Sequence, residues 1–442
     1  MLPILSPVPN VLPQKPNIVL MLIDDLGWRD LGYTGSDLYR TPNIDRISAA
    51  GVRFDRAYSA HPVCSPTRAG LMTGKNPVRL GITDWIPGDR PDDRVLVTPE
   101  IQSHLSLSEN TLAKLLKKQG YRTYSVGKWH LGGAGYLPTD QGFDVNIGGS
   151  HVGQPGSYFA PFGKDVTPMP DDVKPGEFLT DRLTDEAIKL VDRPGNEPFF
   201  LYFPQYAVHT PIQAKPEDIE RFTGPSKSSK VHHNAKYAAL IWNLDQNVGR
   251  FIDHLVASGK MANTLFIFTS DNGGLLPVTN NAPLREGKGF PYEGGVRVPA
   301  FAYWPGHIPS RSLIHEPVIT MDISATVLEA AGSKAKARDG VSLLGAMLGR
   351  PFHQRRPFIW HYPQYHSSGN TPCSAMIDGD WKLVHHYEDD SNELYNIKED
   401  PGEDHNLAAK MPEPASRLWL RLKRSLDSMG AQYPTRRPGK VQ

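Results

Sequence analysis

The segment Asn17-Ile-Val-Leu-Met-Leu-Ile23 is apolar from its second residue onward and runs directly into Asp24-Asp25. An apolar run of this length, rich in β-branched residues, is typical of a strand that is buried on both faces of a sheet. Similar runs with β-branched or aromatic residues follow at 121–126, 199–203 and 264–269. Together the four runs predict one large sheet that is covered by helices on both sides.

Helical patterns lie between the predicted strands. Ser108 is a candidate N-cap, and Gly120 a candidate end, for a helix just before the strand at 121–126. Two further helices are predicted at 235–258 and from Asp322 to Gly332. The alternation of helices and strands predicts an α/β protein with a mostly parallel sheet.

The sequence pattern changes near residue 350. Short apolar runs follow at 358–360, 375–377 and 381–384, and Asp378-Gly-Asp380 between the last two is a hairpin signal. We therefore predict a large α/β domain over residues 1–350. Residues 351–442 are predicted to form a small antiparallel-sheet subdomain that a helix at 415–428 closes.

Composition excludes several classes of protein. The 442 residues carry 48 Lys and Arg against 47 Asp and Glu, and a formal charge of +1 is too small for non-specific binding to nucleic acid. Two cysteines, Cys64 and Cys373, exclude a disulfide-rich scaffold, and Cys373 is predicted to be a buried apolar side chain. The early apolar run at 18–23 is far shorter than the roughly 20 residues that span a bilayer, so no transmembrane helix is predicted there.

The N-terminal residues 1–10 are broken by prolines and lack both the basic segment and the apolar core of a signal peptide. A cytoplasmic protein fits this pattern, and so does an exported protein whose signal peptide has been removed. We expect the second, with a location in the periplasm or outside the cell.

Polar side chains follow each of the four apolar runs. Asp24-Asp25 follows the first run, Lys128 and His130 the second, His209 the third and Asp271-Asn272 the fourth. Ligands of open α/β sheets bind beyond the carboxyl ends of the strands, so parallel strands would bring these groups together. Carboxylate and amide oxygens favour Ca²⁺ or Mg²⁺ over Zn²⁺. For Asp24-Asp25 alone, a helix cap or a solvated turn is an equally good interpretation.

The segment Cys64-Ser-Pro-Thr-Arg68 indicates a nucleophile in an anion site. Pro66 suits the first turn of a helix and Gly74 its end, which places Cys64 at a helix N-terminus where amide groups favour an anion. Arg68, one turn along, adds a charge-assisted donor. Chemistry alone suggests a thiolate nucleophile of lowered pKa. A structural cysteine that happens to precede a helix is the alternative.

The same segment resembles the Cys-x-Pro-x-Arg signature of the type I, formylglycine-dependent sulfatases of the alkaline phosphatase-like superfamily, and above all their bacterial carbohydrate-specific members. The resemblance extends over nearly the whole chain. The stretches that carry it are 16–20, 24–28, 41–45, 64–81, 127–132, 207–211, 270–273, 287–289, 292–295 and 393–407. It implies a large mixed, mostly parallel sheet and a sulfuric ester hydrolase.

The resemblance also implies a metal and a modified nucleophile. A formylglycine-generating enzyme would convert Cys64 to formylglycine (3-oxoalanine), whose hydrated aldehyde attacks sulfur. Asp24, Asp25, Asp271 and Asn272 would bind Ca²⁺ together with an oxygen of the modified Cys64.

Five basic residues receive roles from the same resemblance. Arg68 would stabilise the hydrated aldehyde, and Lys128 and Lys288 would bind the sulfate oxygens. His209 would protonate the leaving alcohol, and His130 would take a proton from the sulfated residue so that sulfate leaves. The alternatives are a surface position for Lys128 and His130, an ordinary loop for His209 and a plain turn around Lys288.

The sugar part of the substrate is expected to be held by loops. We expect exo action on a sulfated glycan or oligosaccharide with a terminal galactose-type residue. Candidate contacts are Asp84, Trp85, His151, Gln154, His361 and His366. Packing between the domains is an equal alternative for each of them. Rival functions are an arylsulfatase, a phosphonate or phosphodiester hydrolase of the superfamily, and a glycan-binding relative that is never modified.

Overall fold

The computed structural model describes residues 15–89, 91–223 and 231–438. Its strands are β1 (Asn17–Ile23), β2 (Val52–Phe54), β3 (Ala57–Tyr58), β4 (Leu96–Val97), β5 (Arg122–Val126), β6 (Val145–Ile147), β7 (Phe199–Pro204), β8 (Thr264–Ser270), β9 (Arg297–Val298), β10 (Ala300–Tyr303), β11 (Ser312–Ile314), β12 (Val318–Ile319), β13 (Phe358–Tyr362), β14 (Cys373–Asp378), β15 (Trp381–His386), β16 (Ser391–Asn396) and β17 (Thr435–Arg436). Its α-helices are α1 (Pro42–Ala50), α2 (Cys64–Thr73), α3 (Pro77–Leu80), α4 (Leu112–Lys117), α5 (Leu179–Val191), α6 (Pro216–Glu220), α7 (Ala235–Ala257), α8 (Glu293–Val296), α9 (Thr320–Ala330), α10 (Leu344–Met347) and α11 (Pro412–Met429). The N-terminal residues 1–10, on which the signal-peptide argument depends, lie outside the described residues.

The central sheet is mixed and mostly parallel, as predicted. Within the described residues it has eight strands in the order β11-β2-β10-β8-β1-β7-β5-β6. Strand β1 lies between β8 and β7 and is parallel to both, whereas β10 pairs antiparallel with β8 and β2. The carboxyl ends of β1, β5, β7 and β8 therefore reach the same edge of the sheet.

Helices cover both faces of this sheet. Val19 and Met21 of β1 pack into an apolar cluster with residues of α1, α5 and α7, whereas Leu20 and Leu22 pack into a second cluster with α2, α4 and α9. All four side chains are almost completely buried. Because both faces of β1 are covered, its sequence is continuously apolar rather than alternating. Among the described residues, no helix combines the length and apolarity needed to cross a membrane.

The predicted element boundaries agree closely with the observed ones. Each of the four apolar runs matches its strand, β1, β5, β7 or β8, to within one residue. Helix α7 begins and ends within one residue of its prediction. Helix α9 begins at Thr320, before Asp322, because the Asp322 side chain accepts a hydrogen bond from the Ile319 backbone N–H (3.0 Å) and so lies within the first turn.

The prediction that Ser108 caps the helix before β5 is wrong. The cap of α4 is Thr111, whose hydroxyl accepts a hydrogen bond from the backbone N–H of Lys114 (3.2 Å). The Ser108 hydroxyl instead lies 2.8 Å from the Ser106 hydroxyl in the preceding turn. Gly120 follows the helix with a left-handed φ of 85°, as expected for a stop signal.

The C-terminal region forms a separate antiparallel sheet in the order β13-β14-β15-β16. Leu383 and Leu394 on one face of this sheet pack against Leu422 and Leu426 of α11, which is the predicted closing helix. The strand β16 was not among the predicted strands. Cys373, on β14, is fully buried as expected. The division of the chain at residue 350 stays a prediction.

Candidate active site

Two pairs of polar residues, with three carboxyl groups and one amide between them, meet at the carboxyl edge of the central sheet. Asp24 and Asp25 follow β1, Asp271 and Asn272 follow the neighbouring β8, and all four are at most 2% exposed. The backbone of Asp25 turns through a left-handed φ of 61°, and its N–H donates to Asp271 Oδ1 (3.2 Å). The sharp turn after β1 therefore directs both carboxylates of the first pair toward the second pair.

Helix α2 brings Cys64 and Arg68 to the same edge. Cys64 is the first residue of the helix, and its thiol donates to Asp24 Oδ1 at 3.5 Å. Arg68 is fully buried one turn later, and its Nε and Nη2 donate to Asp271 Oδ2 (3.0 and 2.7 Å). Its Nη1 donates to the carbonyl of Lys128 (3.0 Å). Burial opposes ionisation, but Arg68 and Lys128 lower the pKa of Asp271.

Two lysines complete the charge balance of the site. Lys128 Nζ, beyond β5, lies 2.7 and 2.9 Å from the oxygens of Asp24, and Lys288 Nζ lies 2.8 and 2.9 Å from those of Asp25. Although burial opposes it, the charge of Lys288 lowers the pKa of Asp25. Three cationic side chains, counting Arg68, thus face three carboxylates.

His209 joins the site from the loop after β7. Its Nε2 lies 2.9 Å from Lys288 Nζ and 3.5 Å from Asp25 Oδ2. Its Nδ1 lies 3.0 Å from the carbonyl of Thr210, which accepts only, so the ring proton belongs on Nδ1 and the Nε2 lone pair faces Lys288. Burial and the charge of Lys288 lower the pKa of His209.

One ring nitrogen of His130 is hydrogen-bonded, and the other has no hydrogen-bond partner among the described residues. Its Nε2 lies 2.7 Å from the carbonyl of Ile86, which places the proton on Nε2 and the lone pair on Nδ1. In the part of the chain that the structure describes, Nδ1 is buried and has no hydrogen-bond partner. Burial and the charge of Lys128 lower the pKa of His130 well below its usual value. The residue is therefore a neutral imidazole with an available acceptor.

Two residues that the sequence analysis did not single out hold His130 in place. The hydroxyl of Ser65 donates to the His130 carbonyl (2.9 Å) and accepts from the Ile86 backbone N–H (3.1 Å). Ser65 thus joins the start of α2 to both groups that orient the imidazole. The position of Ser65 beside Cys64 was the available signal, whereas a backbone carbonyl such as that of Ile86 has no signature in a sequence.

The donor set suits a hard divalent cation. The Asn272 amide donates through Nδ2 to Asp25 Oδ1 (2.8 Å), while its Oδ1 is buried without a hydrogen-bond partner among the described residues. Burial also raises the pKa of Asp24 well above its usual value, although the charge of Lys128 lowers it. One ligand atom from each of Asp24, Asp25, Cys64 and His209 lies within 4.8 Å of the others. An unpaired amide oxygen beside carboxylates fits Ca²⁺.

Asp84 and Trp85 lie near the site but are part of its framework. Asp84 is 1% exposed, and its Oδ1 accepts from the hydroxyl of Tyr362 (2.7 Å) and from the backbone N–H of Trp85 (2.8 Å). Burial raises the pKa of Asp84 to about 8. The Trp85 ring packs against the apolar cluster beneath the C-terminal sheet. These contacts favour the packing interpretation for both residues.

His361 is equally enclosed. It is 1% exposed, with Nδ1 at 2.7 Å from the Ser374 hydroxyl and Nε2 at 2.9 Å from the carbonyl of Gln432. Both ring nitrogens are thus engaged by the C-terminal region, which favours packing over sugar contact.

The remaining sugar candidates lie closer to the chemistry. The His366 ring packs against Gly289, beside Lys288, and burial and that lysine lower the pKa of His366 to about 4. Gln154 is exposed and accepts a hydrogen bond from Thr210, the neighbour of His209 (3.1 Å). His151 is exposed next to Ser150, whose carbonyl accepts from the His130 backbone N–H (3.0 Å).

Comparison with known proteins identifies the family. The sulfatase family model matches residues 16–333, and the model of the N-sulphoglucosamine sulphohydrolase C-terminal region matches residues 287–432. N-acetylgalactosamine-6-sulfatase of Mus musculus is 36% identical over 395 residues, which cover 83% of this chain and 71% of the mouse protein. A sulfatase of Formosa agariphila is 32% identical, with 90% of this chain and 85% of that protein covered.

A solved structure agrees with these relatives. The crystal structure of Ps i-CgsB in complex with k-i-k-neocarrahexaose superposes with a TM-score of 0.79 at 31% identity and covers 93% of each chain. The predicted fold and the resemblance to sulfatases are thereby confirmed. This chain belongs to the sulfatase family and is a sulfuric ester hydrolase.

Proposed function

We propose that this sulfatase uses formylglycine at position 64 and Ca²⁺ to remove an O-sulfate from a terminal galactose-type residue of a sulfated glycan. The observation that carries the proposal is the position of Cys64. Its Sγ lies at the first turn of α2, 3.5 Å from Asp24 Oδ1, in a buried cluster of oxygen ligands that includes the unpaired Oδ1 of Asn272.

The charge of the site suits a sulfate monoester. Arg68, Lys128 and Lys288 balance the carboxylates of Asp24, Asp25 and Asp271, so the protein part is close to neutral. A Ca²⁺ ion held by Asp24, Asp25, Asp271 and Asn272 would add two positive charges and polarise the sulfuryl oxygens. The three basic side chains would then be available to balance the charge that develops on those oxygens during transfer.

The two histidines would carry the protons. The Nε2 lone pair of His209 faces the Lys288 ammonium at 2.9 Å, so the ring would first take up a proton from that ammonium at Nε2 and then pass it to the alcohol oxygen as the bond to sulfur breaks. His130 presents the unpaired Nδ1, which would accept a hydroxyl proton from the sulfated residue 64. Loss of that proton lets the carbonyl of formylglycine re-form while the bond to sulfate breaks, so no water molecule is consumed at that step. The lowered pKa of His209 favours release of its proton, and the lowered pKa of His130 keeps that ring neutral, with a lone pair on Nδ1.

The nucleophile is tested by the mass of the tryptic peptide 57–68 from protein co-produced with a formylglycine-generating enzyme. We expect the mass change of a thiol replaced by an aldehyde, and the peptide that carries Cys373 is the internal control. Cys64→Ala should have no sulfatase activity. An unmodified Cys64 in fully active protein would contradict the proposal.

The substrate part is supported by two relatives. The name of N-acetylgalactosamine-6-sulfatase specifies the sulfate of an amino sugar, and Ps i-CgsB was crystallised with a neocarrahexaose oligosaccharide. We expect turnover of galactose-type sugar sulfates and of oligosaccharides that end in them. Efficient turnover of a simple aryl sulfate with no activity on sugars would indicate an arylsulfatase.

Two further assays address the other rivals. Matched sulfate and phosphate esters of one alcohol compare the sulfatase with a phosphonate or phosphodiester hydrolase, and we expect the sulfate ester to react faster. An intact Cys64 thiol in protein from the native host, together with sugar binding and no turnover, would indicate a glycan-binding relative. We also propose a location in the periplasm or outside the cell, which fractionation of the native host would test.

A further inference from the structure

A buried lysine of the C-terminal sheet has no part in the proposed chemistry. Lys382, on β15, is completely buried, and its Nζ lies 3.0 Å from Glu293 Oε1 and 2.9 Å from Glu403 Oε1. The ammonium also lies 5.9 Å from the centre of the Trp360 ring. Burying an ammonium group and two carboxylates costs desolvation free energy. We therefore asked which parts of the protein these three groups hold in place.

The partners of Lys382 fix the short helix α8. Glu293 is the first residue of α8, and its backbone N–H donates to Glu403 Oε2 (2.7 Å). Its side chain accepts from Lys382 and, at Oε2, from the hydroxyl of Tyr58 (2.9 Å). Both the backbone and the side chain of Glu293 are therefore held, and two of the three contacts come from the C-terminal region.

The backbone of helix α8 is in direct contact with the backbone of the loop that carries Lys288. The N–H of Gly294 donates to the Arg285 carbonyl (2.8 Å), and a Cβ added at Gly294 would overlap the carbonyl of Glu286. A Cβ added at Gly295 would overlap the carbonyl of Phe290. Since the backbones touch, a shift of α8 moves residues 285–290, and with them Lys288.

A second set of contacts ties the same loop to the C-terminal sheet. Arg285 Nη1 donates to the hydroxyl of Tyr395 (2.7 Å), and the guanidinium lies 3.9 Å from the centre of the Tyr292 ring. The Tyr292 hydroxyl donates to Glu393 Oε2 (2.6 Å). The residues on both sides of Lys288 are thus anchored on β16.

We infer that the C-terminal region is a positioning element of the active site, in which Lys382 of β15 and Glu403 beyond β16 hold α8 so that Lys288 reaches the sulfate group. The inference rests on the proposed role of Lys288 in sulfate binding. Lys382 and Glu403 are positioning residues, because they act through the backbone of the loop and contact neither substrate nor metal.

The test compares kcat, KM for a sugar sulfate and the inhibition constant of inorganic sulfate in Glu403→Ala, Glu403→Gln and wild-type protein of equal formylglycine content. Glu403→Ala loses both the acceptor for Glu293 N–H and the partner of Lys382. We expect KM and the sulfate inhibition constant to rise about tenfold or more, because a displacement of about 1 Å caused remotely from the chemistry can cost up to about a hundredfold. Glu403→Gln keeps an acceptor and should recover part of the loss.

Leu383→Ala is the matched control. Leu383 follows Lys382 on β15, is fully buried, and packs on the opposite face of the sheet toward α11. This substitution lowers stability but leaves the contacts of residues 285–290 unchanged. At a temperature where both variants are folded, its KM and sulfate inhibition constant should therefore match those of the wild type. Equal values for Leu383→Ala and Glu403→Ala would overturn the inference.

Two more variants separate the possible failures. If Glu403→Ala does not accumulate as folded protein, Tyr395→Phe removes only the hydroxyl that accepts from Arg285, and unchanged sulfate inhibition in it would count against the inference.

Lys288→Ala tests the underlying role of Lys288 in sulfate binding. If it leaves sulfate inhibition unchanged, the assignment of Lys288 fails and the inference fails with it. A rise in Lys288→Ala with no change in Glu403→Ala overturns the positioning role alone.

Discussion

The tautomer of His130 is set by a contact that the hydroxyl group of Ser65 supports. Ser65 joins the His130 carbonyl to the Ile86 N–H, and the Ile86 carbonyl keeps the ring proton on Nε2. Without this link the loop of Ile86 can move away, and the imidazole can present the wrong nitrogen to the modified residue 64.

We therefore predict that Ser65→Ala lowers kcat by at least about tenfold, which is less than the roughly 10²–10⁴-fold contribution of a complete general base. Ser65→Thr keeps the hydroxyl and should restore most of the rate. The mass of peptide 57–68 shows whether the variants carry equal formylglycine. A full rate in Ser65→Ala at equal formylglycine would contradict the role of Ser65.

Asp84 makes the stability of the protein depend on pH. Burial raises its pKa from the ordinary value of 3.8 to about 8, so between these values the folded chain keeps a proton that the unfolded chain has lost. This contribution to stability is complete below pH 3.8 and is lost as pH rises to about 8, by at most about 1.4 kcal/mol per pH unit. Asp84→Asn should therefore lose less stability than the wild type between pH 5 and pH 8.

Urea unfolding at several pH values within that window measures this difference. Glu100→Gln, at an exposed position, is the control and should follow the wild-type curve. Parallel curves for Asp84→Asn and the wild type would mean that Asp84 is ionised in the folded protein.

The sequence identified the residues of the candidate site better than it identified the sugar contacts. Asp24, Cys64 and Lys128 belong to stretches whose order resembles one family, and the structure brings them within contact of one another. His361 lies in a strand where neighbouring side chains face opposite ways, and which face meets the site depends on the pairing of β13 with β14. That pairing has no local signal, and neither does the Ile86 carbonyl.

At the scale of elements, the end of α2 depends on Gly74. This residue has a left-handed φ of 65°, and a Cβ added to it would overlap Cβ of Ala337 and lie 2.9 Å from its Cα. Gly74→Ala should lower the free energy of unfolding by about 1–2 kcal/mol, because alanine is strained in the left-handed backbone conformation. Overpacking should add about 1–3 kcal/mol.

Gly259→Ala separates the two contributions. Gly259 has a similar φ of 73°, but apart from its two chain neighbours no described residue lies within 4 Å of a Cβ added there. In urea denaturation this control should show the backbone contribution alone. An equal loss of unfolding free energy in Gly74→Ala and Gly259→Ala would mean that the overlap with Ala337 is relieved without loss of stability.

Elements buried on both faces were predictable, whereas exposed starts and edges were not. The strands β1 and β8 are continuous apolar runs with one plausible interpretation. The start of α4 was predicted at Ser108, but the observed cap is Thr111, whose hydroxyl also donates to the carbonyl of Gln141 (2.6 Å), a contact with no local sequence signal. Strand β16 has the sequence SNELYN with a partly exposed face, so its apolar pattern is too weak to predict a strand.

At the scale of the whole molecule, the fold and the chemistry are separable. Strand β1 is held by β7, β8 and an apolar cluster on each face, and none of these contacts involves a metal. At its carboxyl end Arg68, Lys128 and Lys288 already neutralise the carboxylates. The protein should therefore remain folded when no ion is bound, although the oxygen of Asn272 stays unpaired.

This separation leads to a prediction for metal removal. Treatment with EGTA should abolish sulfatase activity while the far-ultraviolet circular dichroism stays native, and Ca²⁺ should restore activity. Because the ion binds only the folded chain, Ca²⁺ at a hundred times its dissociation constant should stabilise the protein by about 2.7 kcal/mol.

Asn272→Ala removes the amide oxygen and should reduce this Ca²⁺-dependent stabilisation. Asn243→Ala removes another buried amide, which joins α7 to Asp181 of α5, and it should lower stability without changing the response to Ca²⁺. If EGTA unfolds the protein, the neutralisation by Arg68, Lys128 and Lys288 is insufficient and the ion is part of the fold. If Ca²⁺ stabilises Asn272→Ala as strongly as the wild type, the ion binds elsewhere and the proposed ligand set is wrong.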